Sequence, residues 1–127
     1  MRPAMFEHVN LTVTDPDKIA NIICLLFNWH IRGSGPAKDD GYTVHVGSET
    51  AYLALYQPKQ FIDAEIDHRH VGKVNHLGIL VNDLDVVEKN VMSLGFETFN
   101  HGNYEPGRRF YFMLSDSIEA EVVSYTS

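Results

Sequence analysis

The strongest constraint on the fold is an internal repeat, in which the second half of the chain restates the first. A shift of 68 positions superposes residues 6–26 on residues 74–94 without a gap. The same shift places residues 42–46 on 110–114 and residues 51–56 on 119–124. The identical pairs are His8/His76, Val13/Val81, Asp15/Asp83, Asp17/Asp85 and Leu26/Leu94. Because 127 residues suit one ordinary domain, the repeat predicts a single domain, 1–127, made of two similar halves.

Each copy of the repeat has the same order of structural signals. Residues 8–13 and 76–81 alternate as short strands, with apolar side chains on one face. Asp15 and Asp83 then suit the capping position of a helix. Polar or glycine-rich stretches and further strands follow in both copies. Each copy is therefore predicted to be a βαβββ module.

These signals predict an α+β fold built from two tandem βαβββ modules, residues 5–56 and 74–126, joined by a polar linker at 57–73. Three apolar residues in the linker, Phe61, Ile62 and Ile66, predict a short docked helix. One helix can cover only one face of each sheet, so the other face needs a partner. We expect the two sheets together to enclose a cleft.

Three polar side chains are expected to converge in this cleft. His8 and His76 lie on the strand face opposite the apolar residues, at equivalent positions of the repeat. Glu121, on the last strand of the second module, corresponds at the 68-residue shift to Leu53. Two imidazoles and one carboxylate form the 2-His-1-carboxylate set, which leaves positions open on a metal ion. The set suits Fe(II), Mn(II) or Zn(II).

Each of these residues also has a simpler explanation. A strand histidine on a polar face is often hydrogen-bonded to a neighbour, and Glu119 and Glu121 are typical of the wet face of an antiparallel sheet. The symmetry-related positions, taken together, favour the metal site. Tyr111 alternates with Met113 and is a candidate acid, base or oxyanion donor, with a core position as the alternative. His101 lies in the crowded stretch before it.

Charge and composition narrow the classes of partner. The net charge of −7 leaves Arg108-Arg109 as the tight basic cluster, which makes a nucleic-acid partner improbable on electrostatic grounds. No stretch approaches 18 consecutive apolar residues and the N-terminal residues contain no apolar export segment, so we expect a cytoplasmic protein without a membrane partner. The single cysteine, Cys24, is expected to be a buried structural thiol.

The chain resembles the vicinal oxygen chelate superfamily, which includes glyoxalase I, extradiol dioxygenases, methylmalonyl-CoA epimerase and the bleomycin and fosfomycin resistance proteins. The resemblance covers essentially the whole chain and rests on residues 6–13, 74–81 and 115–122. In this family, first-strand histidines and last-strand carboxylates bind the metal, which implies His8, His76 and Glu121 as ligands. Ser115 and Ser117 stand where the family usually has proline and glycine.

The resemblance also narrows the chemistry. Leu53 stands where glyoxalase I and the epimerase have a further ligand, so the remaining set has the extradiol dioxygenase arrangement, with Fe(II) or Mn(II) favoured and Zn(II) possible. Tyr111, ten residues before Glu121, matches the dioxygenase tyrosine, and His101 lies one position from the corresponding histidine. Both are implied as catalytic residues.

Two functions stay open at this point. One is a glyoxalase-like or dioxygenase-like metal enzyme that acts on a small oxygenated substrate. The other is a metal-free protein that binds a small molecule or sequesters an antibiotic, as bleomycin resistance proteins do. Either function implies a small-molecule partner, and the superfamily allows a homodimer.

Overall fold

The computed structural model describes residues 1–63 and 67–125 and divides the chain into two compact units, Met1–Ile62 and Asp63–Ser127. The elements of the first unit are β1 (His8–Thr12), α1 (Pro16–Phe27), β2 (His30–Ala37), a short 3-10 turn (Lys38–Asp40), β3 (Gly41–Gly47) and β4 (Tyr52–Gln57). Those of the second are β5 (Leu77–Leu80), α2 (Leu84–Ser93), β6 (Thr98–Tyr104), β7 (Gly107–Ser115) and β8 (Ile118–Ser124).

Each unit contains one four-stranded sheet with the same topology. The strand order is β1-β4-β3-β2 in the first unit and β5-β8-β7-β6 in the second. In both, the first strand runs parallel to the last, and the other neighbours are antiparallel. The predicted α+β fold of two βαβββ modules is confirmed. Residue 126, the predicted end of the second module, lies outside the described residues.

The helices begin where the sequence predicts. Asp15 Oδ1 accepts a hydrogen bond from the backbone N–H of Lys18 at 3.2 Å, and Pro16 follows at the first helical position. Asp83 Oδ1 accepts in the same way from the Val86 N–H at 3.2 Å. Helix α1 ends at Asn28, which adopts the left-handed conformation with φ 56°.

Each helix covers one face of its own sheet and closes a core there. The fully buried strand residues alternate with more exposed ones, because successive side chains point to opposite faces. Those of the first unit are Val44, Val46 and Leu55, and those of the second are Phe110, Phe112 and Val122. The face away from the helix in each unit is therefore the place where polar side chains collect.

The strand pairing corrects one equivalence that the 68-residue shift predicts. Val13 N–H donates to the Tyr56 carbonyl at 2.8 Å, and Val81 N–H donates to the Val123 carbonyl at 2.9 Å. The two donors are 68 residues apart, but the two acceptors are 67 residues apart. The structural counterpart of Glu121 in the first unit is therefore Ala54.

A shift of one residue moves a side chain to the other face of a sheet. Leu53 pairs with Val9 and Val46, and it is 8% exposed on the face that α1 covers. The prediction that Leu53 shares a face with His8 is thus wrong. The conclusion drawn from it is unaffected, since Ala54 has no ligand atom either.

The linker between the units has no helix in its described part. Phe61 and Ile62 lie in irregular backbone and are exposed, which contradicts the predicted short helix, and Ile66 lies outside the described residues. Helices α1 and α2 have 12 and 10 residues, and no helix among the described residues is long and apolar enough to cross a membrane. Cys24 is half-buried on α1.

We predict that Leu53→Ala lowers the free energy of unfolding by about 2–4 kcal/mol, because it opens a cavity under α1. Leu25→Ala is the matched control: the same substitution at a helix residue that is 72% exposed should change stability by less than about 0.5 kcal/mol. Urea denaturation of both variants measures the difference. Equal losses would show that Leu53 does not lie on the core side of the sheet.

Candidate functional site

The carboxylate of Glu121 is the centre of a polar cluster on the second unit. Its side chain is 11% exposed and lies on the face of the sheet away from α2. His76 Nε2 lies 3.0 Å from Oε1, and Arg109 Nη1 donates to Oε2 at 2.8 Å. Tyr111 is the direct cross-strand partner of Glu121, and its ring meets that of His76 edge-on at 5.6 Å. The structure thus brings three predicted site residues, His76, Tyr111 and Glu121, together.

Hydrogen bonding keeps the Glu121 carboxylate charged in spite of its burial. Burial raises the pKa of Glu121, but hydrogen bonds from Arg109, Tyr111 and His76 outweigh it and lower the pKa overall. Burial and the hydrogen bond to Glu121 raise the pKa of Tyr111 to about 12. At neutral pH the site therefore contains a carboxylate and a neutral phenol that can donate a proton.

The two predicted histidines are oriented alike by the residue that precedes each of them. His76 Nδ1 donates to Asn75 Oδ1 at 2.7 Å, and His8 Nδ1 donates to Glu7 Oε1 at 2.8 Å. A proton on Nδ1 leaves the lone pair of a neutral ring on Nε2, the tautomer that a metal ligand needs. The hydrogen bond from His8 also lowers the pKa of Glu7.

In the first unit His8 belongs to a stack of rings around Tyr52. The His8 and Tyr52 rings are stacked at 5.0 Å, and His45 stacks on Tyr52 at 4.8 Å. The guanidinium of Arg32 lies 4.4 Å from the centre of the Tyr52 ring. The stack fixes the plane of the His8 ring on the face of the sheet away from α1.

The His76–Glu121 pair has the geometry of two neighbouring metal ligands. Two atoms bound at about 2.1 Å to one ion and at right angles to each other stand about 3.0 Å apart. With Nδ1 protonated, Nε2 of a neutral His76 faces a carboxylate oxygen, so a second ring proton or a cation has to lie between them. These residues fit a divalent metal ion. Within either unit, the described residues contain no group of three or more His, Cys, Asp or Glu that could hold one.

The structure separates His101 from this cluster. Thr98 and Phe99 pair with Phe112 and Tyr111, but Gly102 pairs with Arg109, so β6 contains one extra residue. This bulge, next to Asn100 with φ 51°, turns His101 to the face that α2 covers. The sheet therefore lies between His101 and Glu121.

On the α2 side, His101 takes part in a second polar cluster. His101 Nε2 and Thr98 Oγ1 each lie 2.5 Å from Glu88 Oε2. Burial opposes the ionisation of Glu88, but the hydrogen bonds from Thr98 and His101 outweigh it and lower its pKa. Arg108 binds Asp85 of the same helix at 3.1 Å. These contacts tie β6 and β7 to α2.

Glu119 also has a partner of its own. It lies two residues before Glu121 on the same face of β8, and its carboxylate is 3.5 Å from His68 Nε2. The prediction that Glu119 is an ordinary wet-face residue thus differs from the structure, in which its side chain is 11% exposed.

The sequence interpretation missed the two side chains that support Glu121 and His8, which are Arg109 and Glu7. Arg109 was expected to be either near the site or on the surface, with no assigned role. A signal was present, because Arg109 alternates with Tyr111 and Met113 along β7 and so shares their face. Glu7 directly precedes the strand, where periodicity carries no information about direction.

Comparison with known proteins shows the fold. No protein-family profile matches the chain, and no curated protein matches its sequence. Among solved structures, a glyoxylase/bleomycin resistance protein/dioxygenase domain from Frankia sp. EAN1pec is similar with a TM-score of 0.81 and 20% identity, over 97% of this chain and 98% of that one. A glyoxalase family protein from Enterococcus faecalis is similar with a TM-score of 0.75 and 15% identity, over 92% and 94%.

A third similar structure contains a bound metal. It is a mutant of the fosfomycin resistance protein FosX from Listeria monocytogenes, complexed with Mn(II) and 1S,2S-dihydroxypropylphosphonic acid. Its TM-score is 0.72 at 17% identity, over 97% of this chain and 93% of that one.

We predict that Glu88→Gln lowers the free energy of unfolding at pH 7 by about 1 kcal/mol, because it removes a charged acceptor for Thr98 and His101. The pKa of Glu88 is lowered from 4.5, so this contribution is present above that value and is lost as the pH falls through the lowered pKa. Urea denaturation at several pH values measures it, with Glu97→Gln as an exposed control. A difference that persists at pH 2 would contradict the charged-acceptor explanation.

Proposed function

From the vicinal oxygen chelate fold that these likenesses show, we propose that the chain is a metal-dependent enzyme that binds a small oxygenated substrate. His8, His76 and Glu121 are the proposed ligands of a divalent ion, with Fe(II) or Mn(II) favoured and Zn(II) possible. The observation that carries the proposal is the 3.0 Å separation of His76 Nε2 and Glu121 Oε1, with each histidine protonated at Nδ1 by design of its neighbour. The Mn(II) complex of Listeria FosX supports the choice of metal.

The donor set is suited to a substrate that chelates through two neighbouring oxygens. Two neutral imidazoles and one carboxylate leave coordination positions open, and a bound ion would supply Lewis-acid polarisation of the substrate oxygens. Glu7 and Asn75 orient the two imidazoles, as the outer partners of metal-binding histidines commonly do.

Tyr111 is the proposed proton donor of the site. With a pKa of about 12 its phenol stays neutral over the physiological range and can donate a hydrogen bond to a substrate oxygen. Its ring lies against His76, so its hydroxyl is next to the proposed ligands. The proposal assigns no step to His101, because that ring lies on the opposite face of the sheet.

A second function, metal-free binding of a small molecule, is favoured by one specific observation. Arg109 neutralises the Glu121 carboxylate by itself, through an ion pair of 2.8 Å in which both side chains are about nine-tenths buried. A site of this kind is stable without a metal ion. Its ligand would be held by the aromatic and polar side chains on the same face.

We predict that Glu121→Gln weakens metal binding by at least tenfold, because an amide is a poorer ligand for a hard divalent ion than a carboxylate. Glu119→Gln is the matched control, since it removes the same charge from the same face of β8 two residues away and should leave metal affinity within about threefold. Isothermal titration of the metal-free proteins with Mn(II) and Zn(II) measures both.

The titration also separates the two functions. Binding near one equivalent in the parent, lost only in Glu121→Gln, is the result that we expect of the metal enzyme. Equal losses in both variants would indicate a general charge effect and would contradict the proposed ligand set. A parent protein that binds neither metal would overturn the metal enzyme in favour of the ligand-binding protein.

A further inference from the structure

Arg109 is bound more extensively than an ordinary surface arginine. Its Nη1 donates to Glu121 Oε2 at 2.8 Å, and its Nη2 donates to the carbonyls of Tyr104 and Gly107 at 3.2 and 3.1 Å. The guanidinium also lies 4.1 Å from the centre of the Tyr104 ring. The guanidinium is therefore fixed in position by backbone atoms of the β6–β7 turn as well as by an aromatic ring.

One donor of this guanidinium is left unsatisfied. Arg109 Nε is buried without a hydrogen-bond partner, and it is the only such side-chain nitrogen or oxygen in the part of the chain that the structure describes. A buried donor without a partner is unfavourable, so it calls for an explanation. Here the fork points its two Nη atoms at Glu121 and at the turn, which leaves Nε facing neither.

We infer that Arg109 is the positioning residue of Glu121, which holds Oε2 away so that Oε1 alone faces the metal. This inference rests on the proposed metal site. A carboxylate can bind an ion through one oxygen or through both. Because Oε2 is held by Arg109 and Oε1 lies against His76, Glu121 occupies a single coordination position. The position that a second carboxylate oxygen would take stays open for substrate.

The neighbouring residue provides a contrast on the same strand. Arg108 has the same side chain, but it is more exposed and it binds Asp85 of α2, while Arg109 binds Glu121 of β8. Successive residues of a strand point to opposite faces, so Arg108 is directed away from the carboxylate. Any effect of overall charge should be similar for both arginines, and an effect of positioning should belong to Arg109 alone.

The experiment is Co(II) titration of the metal-free parent and of Arg109→Met, Arg109→Lys, Arg108→Met and Glu121→Gln, followed by visible absorption. The absorption of Co(II) depends on its coordination number and so reports how many ligand atoms Glu121 supplies. We expect Arg109→Met to weaken Co(II) binding on the order of tenfold and to change the spectrum of the bound ion. Arg108→Met should retain the affinity and the spectrum of the parent.

Arg109→Lys keeps the positive charge but cannot bind the carboxylate and both carbonyls from one planar fork, so its spectrum should also change. If Arg109→Met does not fold, as judged by circular dichroism, this variant decides the question. An unchanged spectrum and affinity in the folded Arg109 variants would overturn the inference.

Other outcomes also contradict it. Tighter Co(II) binding by Arg109→Met with the parent's spectrum would show that Arg109 only competes with the ion, and an equal change in Arg108→Met would show a general charge effect. A parent that binds Co(II) and loses it in Glu121→Gln, but not in either Arg109 variant, overturns the inference and leaves the proposed function standing. A parent that binds no Co(II) overturns both.

Discussion

The structure depends on one constraint, which is that each sheet has a single helix and that this helix covers only one face. Strand side chains alternate between the faces, so the covered face takes the apolar residues and forms the core. The other face is where His8 lies in the first unit and where His76, Tyr111 and Glu121 lie in the second. The core and the candidate site are thus two sides of the same strands, and a slip of register would disturb both.

The second consequence concerns the charge of Glu121. Burying a carboxylate is costly unless its oxygens are hydrogen-bonded, and an unpaired one would take up a proton. Arg109, Tyr111 and His76 provide these bonds, and the lowered pKa of Glu121 shows that they outweigh the burial. The anion is therefore prepared before any ligand arrives. The same three residues that keep it charged also determine the direction of each oxygen.

Much of the fold was predictable because the repeat, the helix caps and the strand periodicity agree with one another. Asp15 and Asp83 cap their helices as the sequence predicts, and the histidines of the first strands lie on the expected faces. The last strands were predicted less well. The repeat does not keep a constant spacing, since the helices and strands are conserved in position while the connections between them differ in length. The equivalence of Glu121 with Leu53 failed for this reason, and Ala54 takes its place.

Sequence periodicity could not predict the direction of His101, because it assumes an uninterrupted strand. Counted in steps of two from Phe99, His101 shares the face of Tyr111, as a candidate catalytic residue there would require. One extra residue in β6 reverses that parity, and His101 then meets Glu88 of α2. The bulge lies beside Asn100, and asparagine is among the few residues that adopt positive φ readily. An asparagine inside a predicted strand therefore marks a place where the faces of later residues have to be counted again, and in this chain that recount moves a histidine from the candidate site to the attachment of a helix.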